Sequence, residues 1–293
     1  MKNQLLKDFM HKVGMSQKQV ANAFGVSLTV ISQYLNGKYP GNTEDLDKKV
    51  EDLIAQTQEK RVDKQYNAEF VPTLAARQMM EVIRDAHVEG DVSVIFGAAG
   101  LGKTQAVKQY AKEYSGAIVI ETAPSFTPKV LLQKICAALN LNTTGAMETL
   151  FESIISKLVS SQRVIIVDEA ELLSTRSLEF LRRIQDMTKI GLVLVGMPRL
   201  LINLKGKNNE LAQLYSRVWR ACDLGNALPD RDLLMLAENA LGSTEHASVF
   251  LCYAKGNARR LSKLIRGVVR LSQLNECAID EELIKEYTKM LIN

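Results

Sequence analysis

Residues 92–104 read V-S-V-I-F-G-A-A-G-L-G-K-T, and this stretch decides the fold. The last eight, Gly97-Ala98-Ala99-Gly100-Leu101-Gly102-Lys103-Thr104, fit G-x-x-x-x-G-K-[ST]. The context is the one this motif requires: a short apolar strand precedes it and a helix opens at Lys103. Glycines let the loop amides turn inward around an anion, and the helix N-terminus adds its positive dipole end. Lys103 is placed to reach the β- and γ-phosphates of ATP and the Thr104 hydroxyl to hold Mg²⁺, with Gln105 completing the nucleotide-binding set.

A second element follows 65 residues after Lys103, where V-I-I-V-D-E at 164–169 is an apolar strand ending in two acids. Asp168, at the strand exit, is suited to bind Mg²⁺, and Glu169 to orient or activate an attacking water. Around these motifs, VSVIF (92–96), AIVIE (117–121), RVIIVD (163–168) and GLVLVG (191–196) are β-branched and apolar on both faces, as buried parallel strands are. Helical patterns start near Lys103, Pro128 and Met147, and another runs from about Ser177 to Thr188. After Pro229 the pattern is helical only, ending in a long amphipathic stretch to Asn293.

Upstream, residues 16–37 read S-Q-K-Q-V-A-N-A-F-G-V-S-L-T-V-I-S-Q-Y-L-N-G. Ser16 can cap a helix over 17–24 and Ser27 one over 28–35. Gly25 permits the turn between them, Val26 plugs the core, and Gly37 ends the second helix. This spacing resembles phage-repressor-type helix-turn-helix modules. In such a module Ser27, Thr29, Ser32, Gln33 and Asn36 face double-stranded DNA, and Gln17 and Lys18 lie near its backbone. No arginine stands on the second helix to make the common bidentate guanine contact, so sequence preference is expected to be weak. Residues 41–70 are polar, with Leu46, Val50, Leu53 and Ile54 at helical spacing, and predict a helix running into an exposed linker.

The expected organisation is a helix-turn-helix domain with linker helix (1–62), an α/β nucleotide-binding core (63–226) and a helical lid (227–293). The fold class is an α/β P-loop NTPase with a parallel sheet and C-terminal helical lid, preceded by a small all-α domain. No apolar run approaches the roughly 18 residues a transmembrane helix needs, and the N-terminus lacks a signal-peptide pattern. Cys136, Cys222, Cys252 and Cys277 are widely spaced and read as reduced thiols, mostly core filler, in a cytoplasmic protein. The net charge of +4 is uneven: residues 255–270 carry six basic side chains and no acid. Arg259, Lys263, Arg266 and Arg270 fall on one helix face, and Lys205 and Lys207 on a basic tip. Either is a polyanion contact or a solvated basic surface.

The P-loop, the Asp-Glu pair and the helical lid together resemble the AAA+ ATPases. The resemblance implies an arginine acting on a neighbouring subunit's nucleotide, for which L-Y-S-R-V-W-R (214–220) offers Arg217 and Arg220. It also implies a lid arginine, for which K-G-N-A-R-R-L (255–261) offers Arg259, with Arg260 as substitute. One departure stands out: where the family has Asn, Ser or Thr at the end of the strand 191–196, this chain has Gly196 and Met197. Slow, partner-stimulated hydrolysis is the expectation.

The order of helix-turn-helix, charged linker, ATPase and basic lid is similar to the transposition regulators typified by the phage Mu B target-selection protein. V-I-I-V-D-E-A-E (164–171) and L-V-L-V-G-M-P-R-L (192–200) are among the best local matches. That resemblance implies ATP-dependent homo-oligomers, rings or helical filaments, on DNA of little sequence preference in the bacterial host cytoplasm. It also implies a transposase partner and hydrolysis that resets the assembly. An ATP-switched transcription regulator with a specific operator, and a protein-directed ATPase of the secretion or partition type, are the other classes.

Overall fold

A computed structural model describes residues 2–65, 70–205 and 211–291, with residues 58–65 described by their backbone. The chain forms two compact units, residues 1–68 and 69–293. The first contains α1 (Lys2–Val13), α2 (Gln17–Phe24), α3 (Leu28–Leu35) and α4 (Glu44–Gln65). Its core joins Leu6 of α1, Val20, Ala21 and Phe24 of α2, Ile31, Tyr34 and Leu35 of α3, and Leu46 and Val50 of α4. Ser16 caps α2 in a reciprocal capping box with Gln19, and the Ser27 side chain accepts from Val30 N to start α3. Between them Gly25 adopts φ +67°, the left-handed turn that only glycine enters without cost. Tyr34, which the sequence pattern did not mark as core, is buried and donates to Asp47 of α4, tying α3 to that helix.

The second unit opens with α5 (Leu74–Glu89), β1 (Val92–Phe96), α6 (Lys103–Glu113), β2 (Ala117–Glu121) and α7 (Pro128–Ala138). It continues with α8 (Met147–Leu158), β3 (Val164–Asp168), α9 (Thr175–Thr188), β4 (Gly191–Gly196), α10 (Arg199–Lys205) and α11 (Ala212–Tyr215). β5 (Val218–Asp223) then closes a five-stranded parallel sheet of order β2-β3-β4-β1-β5. Alternate residues of β1, β3 and β4 feed opposite cores. Val94, Ile165 and Leu194 pack towards α7, α8 and α9, while Ile95, Ile166 and Val195 pack with α5 and α6. Double burial of this kind is why these strands read as continuous apolar runs.

β5 was missed in the sequence because it is an edge strand. Its residues alternate half-buried with exposed, and Trp219 is 53% exposed. The remainder is helical: α12 (Asp230–Leu241), α13 (Ala247–Ala254), α14 (Ala258–Leu274) and α15 (Glu281–Lys289). The expected long amphipathic stretch is therefore two helices. Cys277 N bonds back to Ser272 O, and Asp280 caps α15 by accepting from Leu283 N. The thiols also differ from expectation: Cys136 is buried and Cys222 half-buried, but Cys252 and Cys277 are exposed. No helix among the described residues is long and apolar enough to cross a membrane.

One buried carboxylate joins the helical region to the α/β part. Asp232 of α12, fully buried, accepts from Leu74 N at 3.0 Å and Ala75 N at 2.9 Å, the unpaired first amides of α5. Thr73 caps the same helix through Ala76 N. Asp232→Ala would leave those amides without a partner and is expected to cost about 3 kcal/mol. For a unit of this size that corresponds to a fall of roughly 6–12 °C in the thermal midpoint, measurable by calorimetry.

Candidate functional site

The P-loop leaves β1 at its C-terminal edge, where ligands of parallel α/β sheets bind. Its start is pinned: Gly97 N donates to Gly196 O at the end of β4, and Ala98 N to Gly225 O after β5. A Cβ on Gly97 would lie 2.8 Å from Leu224 Cβ. Gly100 and Gly102 take φ +82° and +87°, and a Cβ on Gly100 would overlap the Asn257 side chain. Glycine is thus required here by backbone conformation at two positions and by close packing at two.

Lys103 opens α6 and its Nζ donates to Gly97 O (2.8 Å) and Ala98 O (2.7 Å), closing the loop on itself. Burial pushes its ammonium below the usual lysine range; Glu171 and Asp168 act against this, and Arg259 adds to it. Thr104 Oγ1 donates to Asp168 Oδ2 at 2.6 Å, which brings the two expected Mg²⁺ ligands into direct contact. Hydroxyl and carboxylate oxygens are the hard donors that Mg²⁺ prefers, and the inward-turned glycine loop suits a polyphosphate. The residues fit both groups.

Asp168 is buried, and its Oδ1 accepts from Glu169 N. Glu169 takes φ +56°, unusual for a non-glycine residue, and its side chain is exposed. Thr122, just after β2, holds this turn: its hydroxyl donates to Glu169 O at 2.7 Å and lies 3.1 Å from Asp168 O. Glu171 follows on a short 3₁₀ turn. Neither Thr122 nor Glu171 was singled out in the sequence. The D-E-A-E string contains Glu171, but nothing local distinguishes it from a surface acid.

From the helical region, Asn257 caps α14 by accepting from Arg260 N at 3.0 Å. Its Nδ2 donates to Ala99 O at 2.9 Å, and Arg259 N donates to Gly100 O at 3.2 Å. Arg259 is exposed at the loop and close enough to influence Lys103. Arg217 and Arg220 are engaged elsewhere within the chain. Arg217 pairs with Asp186 of α9 at 2.6 Å and donates to Gln213 O, while Arg220 of β5 pairs with Asp85 of α5. Among the basic residues, Lys263 and Arg270 of α14 are exposed and Arg266 is half-buried. Lys205 Nζ sits 5.7 Å from the centroid of the Tyr215 ring, and Lys207 lies outside the described residues.

In the smaller unit, Gln17, Lys18, Ser27, Thr29 and Asn36 are exposed, and Ser32 and Gln33 half-buried. Apart from Ser27, whose hydroxyl caps α3, the outward side of α3 carries uncharged polar side chains and the exposed Leu28.

A phosphate loop between a buried parallel strand and a helix, a strand-end carboxylate touching the loop threonine, and a helical region bonded to the loop define a AAA-type P-loop domain. Residues 86–204 match the family described as AAA domain, and residues 6–48 match that described as helix-turn-helix. The Aeropyrum pernix ORC2 protein, solved in ADPNP–ADP complexes, shares the fold with a TM-score of 0.60 at 17% identity, over 77% of this chain and 71% of its own. The Mu-like prophage FluMu DNA transposition protein B of Haemophilus influenzae is 31% identical over 221 residues, covering 73% of this chain and 76% of that protein. The chain belongs to this family of Mu-type transposition B proteins. The ATP-dependent target DNA activator B of Escherichia phage Mu is also 31% identical, over 69% of this chain and 65% of its own length.

Proposed function

We propose that this protein is an ATP-dependent regulator of DNA transposition that assembles as a homo-oligomer on double-stranded DNA and activates a transposase. The observation that carries the reading is the Thr104–Asp168 contact beneath an intact glycine loop, in a chain 31% identical to a protein named as an ATP-dependent target DNA activator. The proposed domains are a helix-turn-helix DNA-binding domain with linker helix at 1–62, the nucleotide-binding core at 63–226 and a lid at 227–293.

In this reading Lys103 binds the β- and γ-phosphates, the loop amides of residues 97–104 cradle them, and Gln105 borders the site. Thr104 and Asp168 would hold Mg²⁺, which supplies charge neutralisation to the phosphates when bound. Glu169 takes a proton from the attacking water. Arg259 reaches the nucleotide from the lid, and Arg217 or Arg220 serves the neighbouring subunit after leaving its own carboxylate partner. DNA phosphates are contacted by Gln17 and Lys18 and by the basic residues Lys205, Lys207, Lys263, Arg266 and Arg270. Ser27, Thr29, Ser32, Gln33 and Asn36 face the groove. Phosphate contacts of this number make binding fall steeply with salt. The setting is the host cytoplasm.

Electron microscopy with non-specific duplex DNA tests the proposal, comparing ATP, ADP and no nucleotide. Continuous coating of the DNA with ATP alone is expected. Discrete particles at one sequence would favour an operator-bound transcription switch, and nucleotide-independent absence from DNA a protein-directed ATPase.

A further inference from the structure

The end of β4 lies directly against the P-loop, since Gly97 N donates to Gly196 O. Gly196 brings no side chain to that point. Its φ is not positive, so conformation alone does not call for glycine there. The reason lies in space: a Cβ on residue 196 would overlap Glu171 Oε2 and stand 3.2 Å from Glu171 Cδ. Glycine at 196 is what lets the Glu171 carboxylate enter.

That carboxylate is oddly placed for a structural acid. Oε2 is buried, and it is one of three buried side-chain oxygens among the described residues without a protein hydrogen-bond donor. A buried acceptor in that condition costs stability and calls for a cause. Glu171 is held in place from its backbone, because Asn203 Nδ2 of α10 donates to Glu171 O at 2.9 Å. Its charge also reaches the nucleotide site: it is the foremost carboxylate sustaining the half-buried Lys103 ammonium, ahead of Asp168.

We propose that Glu171 occupies the space vacated at Gly196 to hold the attacking water, its carboxylate accepting a hydrogen bond from one water proton while Glu169 receives the other. The inference rests on the reading of this chain as an ATPase. In the step, the water oxygen forms a bond to the γ-phosphorus and the bond from that phosphorus to the β,γ-bridging oxygen breaks. ADP leaves with the electron pair, and the proton taken by Glu169 passes to solvent. Glu171 exchanges no proton; it fixes the direction of attack, and a neutral amide in its place would hold the water less firmly and in either orientation.

Single-turnover conversion of labelled ATP, with the full-length protein in excess and non-specific duplex DNA present, reads this step directly. Binding of a non-hydrolysable ATP analogue is measured alongside. Glu171→Gln is expected to bind the analogue within about threefold of the wild type and to convert ATP at least 30-fold more slowly. The double variant Glu171→Ala with Gly196→Asn opens the space and refills it from β4, and it is expected to recover at least tenfold over Glu171→Ala alone. Conversion by Glu171→Gln at the wild-type rate would overturn the proposal. So would a loss of analogue binding equal to the loss of rate, which would leave Glu171 only a counter-charge for Lys103. If the wild type binds ATP yet converts none, the ATPase reading itself fails and Glu171 with it.

Discussion

Replacing Lys103 with Ala is expected to remove ATP binding and, with it, ATP-dependent assembly on DNA. Lys103 is the sole side chain in the loop able to bring a positive charge to the phosphates, and it is already positioned. Its Nζ bonds to Gly97 O and Ala98 O, which hold the side chain over the loop. Burial lowers its ammonium from the usual range, with Glu171 and Asp168 opposing that trend, so a phosphate would add favourable charge to an incompletely solvated cation. Two hydrogen bonds from a charged group to phosphate oxygens contribute about 3–6 kcal/mol, a factor of about 10² to 10⁴ in affinity. Titration with a fluorescent ATP analogue measures the loss, and a thermal melt shows that the variant is folded. Filaments formed by Lys103→Ala with ATP to the wild-type extent would sink the mechanism.

Glu169→Gln should behave in the opposite manner, binding ATP and holding the assembled state. Asp168 and Thr104 stay in contact in this variant, because the Glu169 side chain takes no part in that bond: its N–H donates to Asp168 Oδ1, and its carbonyl accepts from Thr122. The change is confined to an exposed carboxylate that can receive a proton. Losing a general base typically slows a reaction about 10²- to 10⁴-fold. The DNA-bound oligomer should therefore persist after excess ATP is removed, as followed by light scattering or electron microscopy. Normal phosphate release by the variant would take Glu169 out of this role.

Much of this architecture is readable from local sequence because the physics there is local. The P-loop needs glycines at fixed offsets, and Gly100 and Gly102 do adopt positive φ. The helices over 17–24 and 28–35 are bounded by Ser16, Gly25 and Ser27, whose capping and turn chemistry acts within three residues. Buried strands such as GLVLVG declare themselves by uniform hydrophobicity. What escaped depends on residues far apart in the chain. β5 shows water half of its side chains and so lacks that signature. Asp232 reaches the amides of α5 across 157 and 158 positions. Glu171 has meaning only beside Gly196, where the missing side chain reads as a departure until the carboxylate is seen to fill its place.

The bond from Asn257 to Ala99 has a geometric consequence. A trans peptide points its carbonyl and its amide in opposite directions. Where an amide of this loop turns inward to an anion, the carbonyl of the same peptide turns outward, and at Ala99 and Gly100 those carbonyls are the ones gripped by Asn257 Nδ2 and Arg259 N. The helical region therefore holds the reverse side of the surface that meets the phosphates. Any rotation of these two peptides would be transmitted as a loosening of α14, with no side chain of the loop needed to carry the message.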